Sequence, residues 1–158
     1  MRPLVLWFCL LAASTGALGQ SAPALTKGQT LYLPVYSHIL HGDVDKAGNP
    51  ERTLVSALVS IRNADVHKPI RIVSATYYDT DGNKLREYVT APRTIKPMGT
   101  YEIYIPRSDT AGGSGANFVV TWQADAPANP PIVQALHLNL PAGRSIAFIT
   151  TATPIATE

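Results

Sequence analysis

The sequence predicts an all-β protein, an antiparallel β-sandwich of immunoglobulin-like type with about seven or eight strands. Apolar residues recur with period two along most of the chain, which is typical of strands with one buried and one wetter face. The 13 prolines are spread along the boundaries between these runs. Long helices cannot accommodate them, because proline removes a hydrogen-bond donor and clashes with the preceding turn. A small closed β-barrel is the alternative architecture.

The alternating runs define the predicted strands. In chain order they cover residues 31–36, 54–62, 73–77, 101–105, 118–122, 132–140 and 145–151. In the second run Val55, Ala57, Val59 and Ile61 share one face, which is expected to be buried.

The run 132–140 is expected to bury its apolar members in the same way. These are Ile132, Leu136, Leu138 and Leu140. His137 has the opposite parity from Leu136 and Leu138, so we expect it to point away from their face.

Turn residues separate the strands. Asp81-Gly82-Asn83 indicates a tight hairpin, and proline-containing or glycine-containing stretches interrupt the chain at 47–50, 67–69, 96–99 and 129–131. Asp79 to Asn83 also resembles the start of a calcium loop. The position that should carry a bidentate Glu is Thr90, however, and both flanks indicate strands, so the hairpin explains these residues.

The first 19 residues have the pattern of a secretory signal peptide. Met1-Arg2 precedes an apolar run at 4–13 that is too short to cross a bilayer, and Ala17-Leu18-Gly19 offers a cleavage site. We therefore expect an exported chain with no transmembrane anchor after cleavage. Residues 20–29 are expected to form a flexible lead, and 30–158 a single sandwich domain.

Composition excludes several classes of function. Only 15% of the 158 residues are charged and the net charge is +2, so a nucleic-acid binder with a strongly basic face is excluded. One cysteine, Cys9, excludes a disulfide framework and a cysteine-rich metal site.

A histidine cluster is the main candidate for metal binding. His38, His41 and Asp43 lie within six residues, and imidazole and carboxylate groups bind zinc or copper. On a strand, His38 and His41 have opposite parity, so a shared metal requires a bend at Gly42 or a loop. His137 is a third ligand only if the fold brings it near. The alternative is that both histidines hydrogen-bond the backbone at a strand end.

A glycine-rich stretch at 108–118 is the main candidate for binding another molecule. Its candidate residues are Asp109, Gly112, Gly113, Ser114, Gly115 and Asn117. Successive backbone N–H groups in such a loop can hold an anion. A nucleophile elbow at Ser114 needs a following helix, but strand residues follow, and no lysine of a phosphate loop is present. The alternative is a conformationally demanding connection between sheets, with Asp109 and Asn117 bonding its backbone.

Tyrosines add a second candidate surface. Parity places Tyr32, Tyr36 and Tyr104 on outward faces, where tyrosine favours interfaces because it buries a large area with little loss of entropy. We predict that Tyr32 and Tyr36 contribute to a binding face. The alternative is that they are ordinary outward-facing strand tyrosines that cover the sheet.

Four segments, at 31–39, 58–63, 77–82 and 108–118, together with Trp122-Gln123-Ala124-Asp125, make the chain resemble an exported bacterial family known as domain of unknown function 3124. The resemblance covers essentially the whole chain after the signal peptide. It implies a protein of the bacterial envelope or a secreted protein, and it implies no activity, substrate or catalytic residue.

No nucleophile–base pair, cofactor fingerprint or paired carboxylates stand out, so the sequence favours a non-catalytic module without a cofactor. We expect it to bind an envelope protein or a small ligand in the bacterial periplasm, through one sheet face and the loop 109–117. A periplasmic zinc or copper protein that uses His38 and His41 is the alternative. An enzyme that uses Ser114 and Asp109 ranks third.

Overall fold

The computed structural model of the chain describes residues 23–157, and all regular structure in this range is β. The predicted signal peptide lies outside these residues. The strands are β1 (Thr26–Pro34), β2 (His38–Val44), β3 (Pro50–Leu54), β4 (Ser56–Arg62), β5 (Ile70–Tyr78), β6 (Lys84–Glu87), β7 (Arg93–Ile95), β8 (Thr100–Ile105), β9 (Asn117–Ala128), β10 (Ile132–Asn139), β11 (Ile146–Thr151) and β12 (Thr153–Ile155). Between residues 23 and 157 no helix is present that could span a bilayer.

The strands form two main sheets and a ribbon, and every pairing is antiparallel. The first sheet has the order β12-β1-β9-β5-β6, and β7 also pairs with β5. The second sheet has the order β11-β10-β4-β8, while β2 and β3 pair only with each other. Neither main sheet closes into a barrel in the described range. The predicted sandwich is therefore confirmed, with twelve strands among the described residues instead of about seven or eight.

The core lies between the two main sheets. The six-stranded sheet contributes the largest buried rings, those of Trp122, Tyr77 and Phe118. The four-stranded sheet completes the core with apolar residues of β4, β8 and β10: Ala57, Val59, Ile61, Ile103, Ile105, Val133 and Ala135. The predicted burial of the alternate residues of β4 is thus confirmed.

The hairpin predicted at Asp81-Gly82-Asn83 joins β5 to β6. The Asp79 carboxylate accepts hydrogen bonds from the backbone N–H groups of Asp81 and Asn83 at 2.9 and 2.8 Å, and from the Asn83 side-chain amide at 3.0 Å. Gly82 has a φ of +82°, which glycine adopts without strain. The carboxylate that could begin a calcium loop is therefore part of the turn.

The expected burial of Ile132, Leu136, Leu138 and Leu140, in and just after β10, is wrong. Val133, Ala135 and His137 face the core, whereas Ile132 and Leu140 are 48% and 64% exposed and Leu136 is only half-buried. The parity of His137 relative to Leu136 and Leu138 is as predicted, but the inner and outer faces are exchanged. The register explains the exchange, because Ala135 pairs with Val59 and His137 with Ala57, both core residues of β4.

A buried polar pair joins the two sheets at one end of the sandwich. The Asn63 amide, just after β4, donates to the carbonyls of Lys68, Ile95 and Lys96 at 2.8, 3.2 and 3.1 Å. Asp65 accepts from the backbone N–H groups of His67, Lys68 and Asn129 at 2.9, 2.8 and 3.0 Å. The segments that lead into β5, β8 and β10 are thereby fixed around one point.

We expect Asn63→Ala to lower the free energy of unfolding by about 1–3 kcal/mol, because the substitution leaves three carbonyls without their amide donor. Chemical denaturation measures this change. Asn49→Ala is the matched control, since the Asn49 side chain bonds only within an exposed turn. An equal effect of the two substitutions would contradict the prediction.

Candidate functional site

The outward face of the four-stranded sheet carries a row of apolar cross-strand neighbours, which we call the outer apolar row. Tyr104 on β8 pairs with Leu58 on β4, Leu58 pairs with Leu136 on β10, and Leu136 pairs with Ile149 on β11. Tyr104 and Ile149 are 61% and 60% exposed. Directly opposite residues in an antiparallel sheet have Cβ atoms about 5 Å apart, so these four side chains form one continuous surface.

A polar line runs parallel to the outer apolar row. The next register positions place Glu102, Ser60, Gln134 and Thr151 side by side across the same four strands. The Arg62 guanidinium donates to the side-chain Oε1 of Gln134 at 3.2 Å, and the side-chain Nε2 of Gln134 donates to Thr151 Oγ1 at 3.3 Å. The apolar row is thus bordered by ordered hydrogen-bonding groups and by charges of both signs.

A shallow depression of about 120 Å³ lies between the row and the polar line. Leu58, Leu136 and Ile149 form its apolar side, while Glu102 and Gln134 form part of its polar side. A depression of this kind can receive one side chain of a docked molecule.

The glycine-rich loop is packed tightly against its neighbours. Thr80 donates to the Gly112 carbonyl through both its N–H and its hydroxyl, each at 3.0 Å, and its hydroxyl oxygen accepts from the Gly115 N–H at 3.0 Å. Ser37 N–H donates to the Gly113 carbonyl at 2.9 Å. The loop therefore has a packing role as the connection from β8 to β9.

The other loop candidates occupy defined places. Asp109 accepts from the Ala111 N–H at 3.2 Å, Ser114 is half-buried, and Asn117 begins β9 opposite Pro34. The structure brings Asp109 and Ser114 into no mutual hydrogen bond in the described part of the chain. Binding at this loop stays a prediction.

Tyr32 lies on an outward face, as predicted, whereas Tyr36 does not. Tyr32 is half-buried on the outer face of the six-stranded sheet, where it pairs with Val119 and Thr153. The Tyr36 ring packs edge-on against the rings of His137 and Phe148, with centroids 5.6 and 5.7 Å away. The outward placement of Tyr36 is therefore wrong, because the chain leaves the sheet after Pro34 and this ring covers the sandwich edge. Tyr104 is exposed, as predicted.

The β2–β3 ribbon separates His38 from His41. His38 pairs with Leu54 and His41 with Glu51, so the two imidazoles belong to opposite faces. The register shift occurs after His41, where Gly42 has a φ of +70°, so the bend does not lie between the histidines.

Each histidine of the ribbon has its own surroundings. His41 Nε2 is 2.7 Å from Thr53 Oγ1, and its Nδ1 is 3.6 Å from Glu51, while Asp43 is exposed at the bulge. Burial, together with the nearby Arg52, lowers the pKa of His38. Among residues 23–157 no three His, Cys, Asp or Glu side chains are grouped as metal ligands. Zinc or copper binding stays a prediction from the sequence.

His137 is buried in the core. Its Nε2 accepts the Tyr36 N–H at 3.1 Å, and its ring stacks on Phe148 with centroids 4.5 Å apart. Burial lowers its pKa to about 4, so the ring is neutral at pH 7. The structure therefore does not bring His137 to the ribbon histidines as a third ligand.

Sequence reasoning missed the outer apolar row. Its residues come from four strands that are separated in sequence, and three of them were expected to face the core or were not singled out. That Leu136 and its same-face neighbours on β10 point outward can be seen only when the register with β4 is known.

Comparison with known proteins gives a family and no activity. The model of the family described as "Protein of unknown function (DUF3124)" matches residues 28–155. No curated protein matches the sequence. A solved structure titled "Crystal Structure of Thermotoga maritima 1070" is similar with a TM-score of 0.43 and 10% identity, over 79% of this chain and 92% of that chain.

We expect Gly112→Ala to lower the free energy of unfolding by about 1–3 kcal/mol, because overpacking a filled site forces its neighbours to move. The new Cβ would lie 1.9 Å from Tyr77 Oη. In a Tyr77→Phe background the same substitution should cost less, since that oxygen is gone. Equal costs in the two backgrounds, measured by chemical denaturation, would refute the contact as the cause.

The free energy of unfolding should decrease as the pH is lowered, because His137 is buried in its neutral form. Its pKa is about 4 in the folded chain and 6.5 when exposed, so the unfolded chain binds more protons between these values. The contribution of neutral His137 to the free energy of unfolding is fully present above pH 6.5. It declines by about 3 kcal/mol as the pH falls to 4. Denaturation at several pH values measures this slope.

His137→Gln keeps an acceptor for the Tyr36 N–H and removes the titrating ring, so its stability should depend less on pH over that range. The residual slope belongs partly to His38, whose pKa is lowered in the same direction. His67→Gln, at an exposed position, is the control. An unchanged slope in His137→Gln would refute the assignment.

Proposed function

We propose that this chain, which belongs to the DUF3124 family of proteins of unknown function, is a non-catalytic protein-binding module of the bacterial periplasm or cell envelope. Export is supported by the signal-peptide pattern of residues 1–19. The binding role is supported by the outer apolar row, and the absence of a catalytic pattern in the sequence agrees with it.

The observation that carries the proposal is the exposure of apolar side chains from adjacent strands. Single exposed apolar residues are ordinary on protein surfaces, but contiguous apolar patches indicate contact with another molecule. Here Tyr104, Leu58, Leu136 and Ile149 are contiguous by register. Departures from the inside–outside pattern tend to coincide with functional surfaces, and β10 departs from it where His137 is buried and Ile132 is exposed.

The chemistry of this face fits a protein partner. Protein interfaces combine an apolar centre with a polar rim, which is how the row and the Glu102–Thr151 line are arranged. The open face has no enclosing walls for a small molecule. An anionic lipid surface would require several cations, whereas this face carries Arg62 beside Glu102.

The depression between the row and the polar line gives the partner an anchor. Interfaces concentrate their energy in a few side chains that enter desolvated pockets, and aromatic residues and arginine are enriched among them. With apolar walls and the Glu102 carboxylate on one side, the depression favours an apolar or aromatic side chain of the partner with a donor at its tip.

Photo-crosslinking in cells tests the proposal. With a benzophenone amino acid in place of Tyr104 in the full-length chain, we expect one predominant adduct with a different protein. That protein, once purified, should bind the wild-type domain in vitro. Sequencing the recovered chain should show Gln20 at its N-terminus, because we expect cleavage after Gly19.

Two aspartate variants identify the face. Ile149→Asp should weaken binding of the purified partner at least tenfold, because it places a charge in the apolar centre. Val66→Asp is the control, since Val66 is equally exposed at 60% but lies outside this face. Crosslinking only to a second copy, no adduct, or equal effects of the two variants would overturn the protein-partner proposal, and an uncleaved N-terminus would overturn the export proposal.

A further inference from the structure

A second concave surface, which we call the ribbon groove, lies away from the outer apolar row. It has a volume of about 390 Å³ and separates the β2–β3 ribbon from the turn between β10 and β11. Ile39, His41 and Thr53 line the ribbon side, and Pro141, Arg144 and Ile146 line the opposite side.

The two walls of the groove are held in position. Ile39 pairs with Thr53, which puts both on one ribbon face together with His41. The Asn139 amide donates to the Leu54 carbonyl at 2.8 Å and joins the base of the ribbon to β10. The groove is therefore largely formed before a ligand arrives, as small-molecule sites usually are.

The groove combines apolar walls with few polar groups. Ile39, Pro141 and Ile146 supply apolar surface, while Ser145 and Arg144 supply donors at its outer end. A volume near the lower end of the range for ligand sites, about 300–1,000 Å³, suits a small molecule rather than a polypeptide.

Charge identifies the class of ligand. Arg144 forms no ion pair with any described residue, so its guanidinium has no internal counterion within 4 Å. The ribbon carboxylate on the same face, Glu51, lies 3.6 Å from His41 Nδ1. Arginine guanidinium groups frequently hold carboxylates through two parallel hydrogen bonds, and Arg144 is available for such a contact.

We propose that the ribbon groove binds a small amphipathic carboxylate, with the carboxylate on Arg144 and Ser145 and the apolar body against Ile39, Pro141 and Ile146. A carboxylate with an apolar body of about eight carbons is small enough to enter a site of this size. This site is independent of the proposed protein-binding face, since it shares no residue with the outer apolar row.

Titration of the isotope-labelled protein with octanoate, followed by amide NMR shifts, tests the proposal. We expect saturable shifts at His41, Thr53 and Arg144 with a dissociation constant on the order of 1 mM, as is usual for so small a ligand. Octan-1-ol, which has the same body without the charge, should bind at least tenfold more weakly.

Two arginine variants separate a specific site from general apolar binding. Arg144→Gln should weaken octanoate binding at least tenfold and leave octan-1-ol binding unchanged. Arg86→Gln, at an exposed arginine of the other sheet, should change neither. Equal affinities for octanoate and octan-1-ol, shifts confined to Leu136 and Ile149, or wild-type affinity in Arg144→Gln would overturn the proposal, whatever the outcome of the crosslinking.

Discussion

The sandwich depends on the hydrogen bonds that Asn63 and Asp65 make at one end of the core. Their partners belong to the segments around both sheets, at Lys68, Ile95 and Asn129. The backbone N–H groups around Asp65 lower the pKa of its carboxyl to about 2, so the carboxylate is ionised at neutral pH. With no cysteine in the described range, these buried polar contacts link the segments around the two sheets without a disulfide.

The opposite end is closed by different chemistry. Gly112 allows the β8–β9 connection to lie directly on the Tyr77 ring, and Tyr36 covers His137 and Phe148 at the neighbouring edge. The glycine-rich loop, Tyr36 and His137 were candidates for function in the sequence. In the structure they pack against the core and close this end of the sandwich. The outer apolar row and the ribbon groove are two of the surfaces that remain, and neither is needed to complete the core.

Period-two patterning predicted the strands well because it depends only on local alternation, as in β4, where Val59 and Ile61 are buried. It assigned the wrong face of β10 because Leu136 and Leu138 are more apolar than Ala135 and His137. Only pairing with β4 determines which set faces inward. The ribbon groove was out of reach for the same reason, since His41 and Arg144 are distant in sequence and meet through topology alone.

The six-stranded sheet provides an internal comparison for the proposed docking face. On its outer face, Thr30 pairs with Thr121 and Thr121 with Ser74, so the corresponding row is made of hydroxyl groups. The neighbouring pair on that face is Tyr32 with Val119, so apolar side chains border the hydroxyl row there, whereas the outer apolar row crosses all four strands of the second sheet. Strand formation does not require this difference, because threonine favours strands as valine and isoleucine do. An apolar row that crosses every strand of one sheet is the surface that the proposed partner would cover.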